Sequence, residues 1–200
     1  MDARPILFTL ARVLDDEDLE AVMIGNAAAA LHGAPVTTLD FDFLFCKTPT
    51  NLRKLKAVAK SLGAMLLRPY YPASDLFRIE RDEDSLHVDF MSRIDGVRSL
   101  AALRSRASRI DFGGHVLMVA DLADIIKSKK AAGLPRDRAV LEILKRRWMK
   151  RRKAKMTKRE ALQRESDRAL RDRIRRLLQK PPAERTHFLR KRIGFQASCL

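Results

Sequence analysis

Six residues constrain this chain more than any others: Asp40-Phe41-Asp42-Phe43-Leu44-Phe45. Side chains alternate along a β-strand, so a strand here puts Asp40 and Asp42 on one face and Phe41, Phe43 and Phe45 on the other. The three rings need a core to lie against. The two carboxylates repel each other unless a cation sits between them, and hard divalent ions such as Mg²⁺ take oxygen ligands of this kind. The segment therefore predicts a half-buried sheet with an acidic face. An Asp-x-Asp pattern alone more often marks a solvated strand face, so its surroundings decide what it means.

A second strand is predicted over Leu86–Met91. There Leu86, Val88 and Phe90 face one way, and His87, Asp89 and Met91 the other. If it pairs beside the first strand, Asp89 joins Asp40 and Asp42. Three carboxylates on adjacent strands can hold two Mg²⁺ ions, one to activate an attacking oxygen and one to hold a triphosphate and its leaving group. Upstream, VMIGNAAAALHG reads as a strand, a turn at Gly25-Asn26 and a helix over Ala27–His32. A glycine there permits close backbone approach, and the N–H groups opening a helix attract phosphate.

The remaining pattern alternates helices with short strands. Helices are predicted over 5–14, roughly 51–62 (with Thr50 as N-cap), 99–105, 121–131 and 136–149. Strands are predicted over 21–24, 64–68, 76–81, 109–112 and 115–119, with hairpins at Asp82–Ser85 and at Gly113-Gly114. After these, MKRRKAKMTKRE reads as a basic linker, and a helical pattern resumes over 157–179 until Pro181-Pro182. The last stretch, THFLRKRIGFQASCL, reads as loosely ordered. The predicted division is a body, 1–149, and a basic helical tail, 150–200.

Charge divides the chain at nearly the same place. Residues 1–144 hold 20 Lys and Arg against 20 Asp and Glu, whereas residues 145–200 hold 21 against 5, so the whole net charge of +16 lies in the tail. A neutral body with a basic extension predicts a folded domain joined to a polyanion-binding segment. Lys145–Lys158 carries nine basic residues and no acid. The nucleic-acid-binding candidates are Lys145, Arg146, Arg147, Lys150, Arg151, Arg152, Lys153 and Lys155. Few aromatic residues lie beyond 144, so base stacking is not the main mode. Two cysteines, Cys46 and Cys199, give no disulfide framework, and no signal sequence or membrane span is legible. A cytoplasmic, soluble protein is expected, with Cys46 half-buried, Trp148 packed, His32 in a capping role and His87 at the surface near Asp89.

The ordered set of motifs, MIGNAAAALHGAPVTTLDFDFLF, HVDFMS and VADLADIIKSKKAAGLPRDRAVLEIL, resembles minimal nucleotidyltransferases of the polymerase-beta superfamily, and abortive-infection (AbiE-type) toxin nucleotidyltransferases in particular. The likeness covers roughly residues 18–147. It implies an α+β fold, a nucleotidyltransferase-type mixed β-sheet flanked by helices, here with a basic α-helical C-terminal extension. It implies Asp40, Asp42 and Asp89 as catalytic metal ligands for two Mg²⁺ ions, with Asp89 as general base. Gly25, Asn26, Thr38 and Lys129 would bind the nucleotide. Asn26 replaces the family's second Gly or Ser, while Val36 and Leu134 stand where Arg is usual.

The implied reaction is transfer of a nucleoside monophosphate from an NTP to an acceptor hydroxyl. The acceptor would be RNA or the tRNA 3′ end, in a toxin–antitoxin-like setting with an antitoxin or other partner protein. Two further readings stay open. One is nucleotidylation of a protein (AMPylation). The other is a catalytically reduced scaffold that binds nucleic acid or a partner, which the departures at Asn26 and Val36 favour.

Overall fold

A computed structural model describes residues 4–38 and 40–181. The chain forms two compact units, Met1–Met149 and Lys150–Leu200. In the first, α1 (Arg4–Asp16) leads to β1 (Ala21–Ile24), α2 (Gly25–Leu31) and β2 (Asp40–Phe45). Then come α3 (Pro49–Ser61), β3 (Met65–Leu67), β4 (Phe77–Arg81), a 3-10 turn (Asp82–Asp84) and β5 (Leu86–Met91). The short α4 (Leu100–Arg104), the hairpin β6 (Ser108–Phe112) and β7 (His115–Val119), and α5 (Leu122–Ala132) follow. The last element, α6, runs from Asp137 to Leu178.

The seven strands form one mixed sheet in the order β3-β4-β5-β2-β1-β7-β6. Strand β2 runs parallel to β5 and antiparallel to β1, which is itself parallel to β7. The alternation of β2 predicts its two faces correctly: Phe41, Phe43 and Phe45 are buried, while Asp40 is exposed and Asp42 half-buried. Phe43 stacks on Phe90 at 5.2 Å, and Phe45 meets Phe90 and Phe77 edge-on at 5.9 Å. A fully buried Phe is worth about 2–3 kcal/mol, and such ring pairs add about 1 kcal/mol each. This aromatic block fixes β4, β5 and β2 as a rigid platform whose other face carries the polar residues.

Local signals set the ends of the helices. Thr48, not Thr50, caps α3 by accepting from the Asn51 N–H at 3.1 Å, because Pro49 fills the first helical position, where no N–H is needed. Ser99 and Asp121 cap α4 and α5 in the same way. Gly133, at φ +65°, closes α5. Helix α2 starts at Gly25, two residues earlier than the sequence pattern predicts.

The basic linker does not exist as such. A single 42-residue helix spans both of the predicted helices and the segment between them. No Gly or Pro interrupts residues 137–178, and Lys, Arg, Glu, Gln, Ala and Leu are strong helix formers, so charge alone makes no boundary. In the second unit none of the described residues is buried. The helix there is mostly polar, with Gln163 donating to Asp167 at 3.0 Å along one side. Leu170, Ile174 and Leu178 are exposed on it and Leu177 is half-buried. The expected looseness of residues 186–200 and Cys199 lie outside the described residues. Cys46 is exposed rather than half-buried, since it follows the last core residue of β2 and ends outside the sheet. Trp148 packs against the core edge. Among the described residues, no helix is long and apolar enough to cross a membrane.

Candidate functional site

Strand pairing assembles the acidic face. In the β2–β5 register Asp42 lies opposite Asp89 and Asp40 opposite His87. The β4–β5 register continues both rows, placing Arg78 opposite Asp89 and Glu80 opposite His87. Two parallel rows therefore cross the sheet, one running Asp42, Asp89, Arg78 and the other Asp40, His87, Glu80. His87 Nε2 lies 3.3 Å from Glu80 Oε1 and its Nδ1 lies 3.9 Å from Asp40 Oδ1.

The three carboxylates differ sharply in surroundings. Asp40 is exposed, with its backbone N–H bonded to the Thr38 hydroxyl at 3.1 Å. Burial raises the pKa of the Asp42 carboxyl to about 6, and the neighbouring charges of Asp89 and Asp40 push the same way. Lys129 and Arg78 offset this only in part. Asp89 is 8% exposed, and Arg78 Nε donates to Oδ1 at 2.7 Å and Nη2 to Oδ2 at 2.8 Å. This bidentate pair raises the pKa of the guanidinium, first through the hydrogen bonds and then through the opposite charge.

Gly25 is held by two constraints. Strand β1 ends at Ile24, opposite Asp42, and the chain then turns at Gly25 with φ +69°. A Cβ at Gly25 would collide with the Asp42 carboxylate. The close approach predicted for this glycine is thus an approach to Asp42. Asn26 follows inside α2, and its side-chain oxygen is buried without a hydrogen-bond partner.

Beside Gly25 and Asp42 opens a pocket of about 160 Å³. Its polar lining is Asp42, Asp124, Ser128, Lys129 and Asp137, and its apolar lining includes Ile24, Met91, Leu103 and Ile125. Lys129 Nζ donates to Asp137 Oδ1 at 2.7 Å, and Arg106 grips Asp124 through two bonds of 2.8 and 2.9 Å. Of the four predicted nucleotide residues, Gly25 and Lys129 line this pocket with Asp42. Thr38 does not; it lines a separate groove with Val36 and Phe41. His32 is buried, its Nε2 lies 2.8 Å from the Ala120 carbonyl, and its own carbonyl accepts from Arg147 Nε at 2.9 Å. Arg147 is therefore committed to the body, and Lys145 pairs with Glu142. Arg146, Lys150, Arg152, Lys153 and Lys155 are exposed along α6, with Arg151 half-exposed.

The donor set suits a hard cation at Asp40 and Asp42, where like charges lie together on one strand face and one of them is disfavoured as an ion by burial. Asp89, beside Asp42, carries the Arg78 guanidinium with one N–H to each oxygen. Among the described residues no three acidic, histidine or cysteine side chains converge to hold one metal ion.

Sequence reasoning missed Arg78, although its signal was present. A hairpin turning at Asp82–Ser85 pairs Arg81 with Leu86, and counting three positions back along each strand sets Arg78 against Asp89.

No protein-family model matches the sequence, and no curated protein matches it. Among solved structures, the solution structure of the antibiotic-resistance factor ANT(2'')-Ia matches with a TM-score of 0.51 and 14% identity, over 84% of this chain and 100% of that one. A crystal structure of ANT(2'')-Ia in complex with adenylyl-2''-tobramycin gives a TM-score of 0.49 and 16% identity, over 74% and 88%. An antigenic nucleotidyltransferase-like protein from Paracoccidioides brasiliensis gives 0.40 and 15%, over 63% of each chain. The first of these likenesses, together with the mixed sheet, flanking helices and long final helix, shows a nucleotidyltransferase fold.

Proposed function

We propose that this protein is a divalent-metal-dependent nucleotidyltransferase. It moves a nucleoside monophosphate from an NTP to an acceptor hydroxyl and releases pyrophosphate. One observation carries the reading: Asp40 and Asp42 share a strand face, with Asp89 directly beside Asp42 on the parallel neighbour. In this reading Asp40 and Asp42 hold Mg²⁺, which when bound supplies charge neutralisation at the triphosphate. Gly25 leaves room for the Asp42 carboxylate, and Lys129 and Ser128 flank the pocket beside it. The acceptor oxygen bonds to the α-phosphorus as the bond to the leaving pyrophosphate breaks, and the hydroxyl proton passes to a carboxylate. Asp89, held in place by Arg78, is the carboxylate we favour for that proton.

RNA, and the tRNA 3′ end within that class, is the acceptor we favour. The support is the basic second unit, which suits a phosphate backbone, and the likeness of the motifs to toxin nucleotidyltransferases; an antitoxin partner and a cytoplasmic site of action belong to the same reading. Incubation with each α-labelled NTP, Mg²⁺ and total tRNA should label RNA, and Asp40→Ala should abolish the label. Labelling of a protein band with RNA untouched would select nucleotidylation of a protein. No label with any of the four NTPs would sink the enzymatic reading and leave the scaffold, which the Arg78 grip on Asp89 and the buried, unpartnered Asn26 oxygen favour.

A further inference from the structure

The sheet face that carries the carboxylates does not end at Asp42. Leu44 is the next residue of β2 on that face, about 7 Å along the strand, and β5 sets Met91 beside it. Buried Leu44 and the loop between β5 and α4 line a second cavity, of about 300 Å³. Ile94 lines both this cavity and the one beside Asp42, so the two are neighbours. The loop is a fixed wall. Ile94 and Val97 pack against the core, and Gly96, at φ +75°, comes so near α5 that a Cβ there would lie 3.0 Å from the Lys127 carbonyl oxygen.

This wall presents charge. Arg93 and Arg98 line the cavity and are exposed, and neither guanidinium has a hydrogen bond or a paired carboxylate among the described residues. Asp95 is the acid that lines it with them. The positive surface continues past Arg93. Asp75 is held below its ordinary pKa chiefly by the Lys47 hydrogen bond, and the charges of Lys47, Arg68 and Arg93 act the same way. Lys47 Nζ lies 2.6 Å and Arg68 Nη2 3.5 Å from Asp75 Oδ1. The Arg68 guanidinium sits 3.7 Å from the centre of the Tyr71 ring, and Tyr71 is 62% exposed. Four cations thus stand against two acids on this surface, although residues 1–144 are neutral as a whole. An uncommitted guanidinium suits a phosphate, which accepts two parallel N–H bonds from it. A lone phosphate needs only the cavity. Cations that run on to Lys47 and Arg68, with an exposed ring among them, suit a chain of phosphates whose bases can stack. The triphosphate has a cation of its own, Lys129, in the other cavity.

We propose that Arg93 and Arg98 form the subsite for the acceptor strand, holding the phosphodiester groups next to the reacting 3′ hydroxyl, while the strand continues over Arg68 and Tyr71. This rests on the reading of the protein as a nucleotidyltransferase with an RNA acceptor. It gives the body a hold on the acceptor that is separate from the basic second unit.

Measurements on the full chain without turnover test it. A single-stranded RNA with 4-thiouridine next to its 3′ end, irradiated with the protein and mapped by peptide mass spectrometry, should cross-link within residues 68–77 or 92–100. Cross-links found only beyond residue 149, or only elsewhere in the body, would overturn the proposal. Fluorescence anisotropy of RNA binding across a salt series should show Arg93→Gln/Arg98→Gln lowering the slope by about 1.4, for two phosphate contacts at about 0.7 each. Arg93→Lys/Arg98→Lys, which keeps both charges, should keep the wild-type slope. A folded Gln variant with the wild-type slope would sink the subsite; if that variant does not fold, the cross-link decides alone. Binding of MgATP, followed by calorimetry, should be the same in the wild type and the Gln variant. A loss there would assign the two arginines to the triphosphate and overturn the acceptor subsite. Each of these failures leaves transfer to RNA standing, because labelling of RNA is read separately. A wild type that labels protein and not RNA removes the RNA acceptor, and this subsite with it.

Discussion

The carboxyl of Asp42 carries a consequence that can be measured without any substrate. Its pKa rises from an ordinary value of 3.8 to about 6 in the fold, chiefly through burial. Between those values the folded state binds more protons than the unfolded one, so stability falls as pH rises from about 4 to about 6 and stays lowered above that. The penalty at pH 7 is on the order of 3 kcal/mol. In the metal-free protein Asp42→Asn should therefore be more stable than wild type by up to about 3 kcal/mol at pH 7.5 and nearly equal to it at pH 4, as read by urea unfolding in chelator. Millimolar Mg²⁺ should narrow the gap by stabilising the wild type. A gap independent of pH would show that Asp42 is not held as a disfavoured anion. Gly25→Ala is a second test at this scale. A left-handed backbone costs a non-glycine residue about 1–2 kcal/mol, and the added Cβ would also push the Asp42 carboxylate aside. The variant should lose at least that much stability and bind Mn²⁺ more weakly than wild type. The two residues were not equally legible in the sequence. Asp40 and Asp42 follow from strict alternation, whereas the neutralising partner of Asp89 appears only when the hairpin is counted out to Arg78, two pairs beyond Glu80 and His87.

At the level of elements, patterns with a fixed period were readable and boundaries set by chemistry were not. Every strand of the sheet was predicted, because alternation survives in segments as short as Ala21–Ile24 and the turns between them carry Gly-Gly or a run of Asp, Glu and Ser. The pairing of β2 with β5 was not legible from alternation. They are parallel neighbours joined through α3, β3 and β4, and sequence spacing alone cannot set such a register. The long helix α6 failed for the opposite reason: its basic middle looked like a break although nothing in it stops a helix. Thr157→Pro tests this. Thr157 lies inside α6, where its hydroxyl donates to the Lys153 carbonyl at 3.1 Å. Proline at such a position costs about 3 kcal/mol or more and breaks the helix. Far-ultraviolet circular dichroism should show a clear loss of helical signal, whereas a linker would accept the proline with none.

On the scale of the whole molecule, charge and chemistry are separated along the chain. The carboxylates, the glycine turn and the pocket all belong to the first unit, and the net charge of +16 belongs to the last 56 residues. Such a division suits an enzyme that recognises a polyanionic acceptor by its backbone and leaves the choice of reacting group to the sheet. Binding of this kind releases counterions, so the logarithm of the affinity for single-stranded RNA should fall with the logarithm of salt concentration by about 0.7 per phosphate contacted. Lys150, Lys153 and Lys155 are exposed on α6 and lie outside the unit that holds the carboxylates. Replacing all three by Gln should reduce that slope by about 2 and weaken binding to unrelated RNA sequences alike. Mn²⁺ affinity should stay at the wild-type value, since the carboxylates belong to the other unit. Fluorescence anisotropy across a salt series measures the slope. An unchanged slope would place the RNA elsewhere, and a loss confined to one sequence would mean that this helix reads bases rather than phosphates.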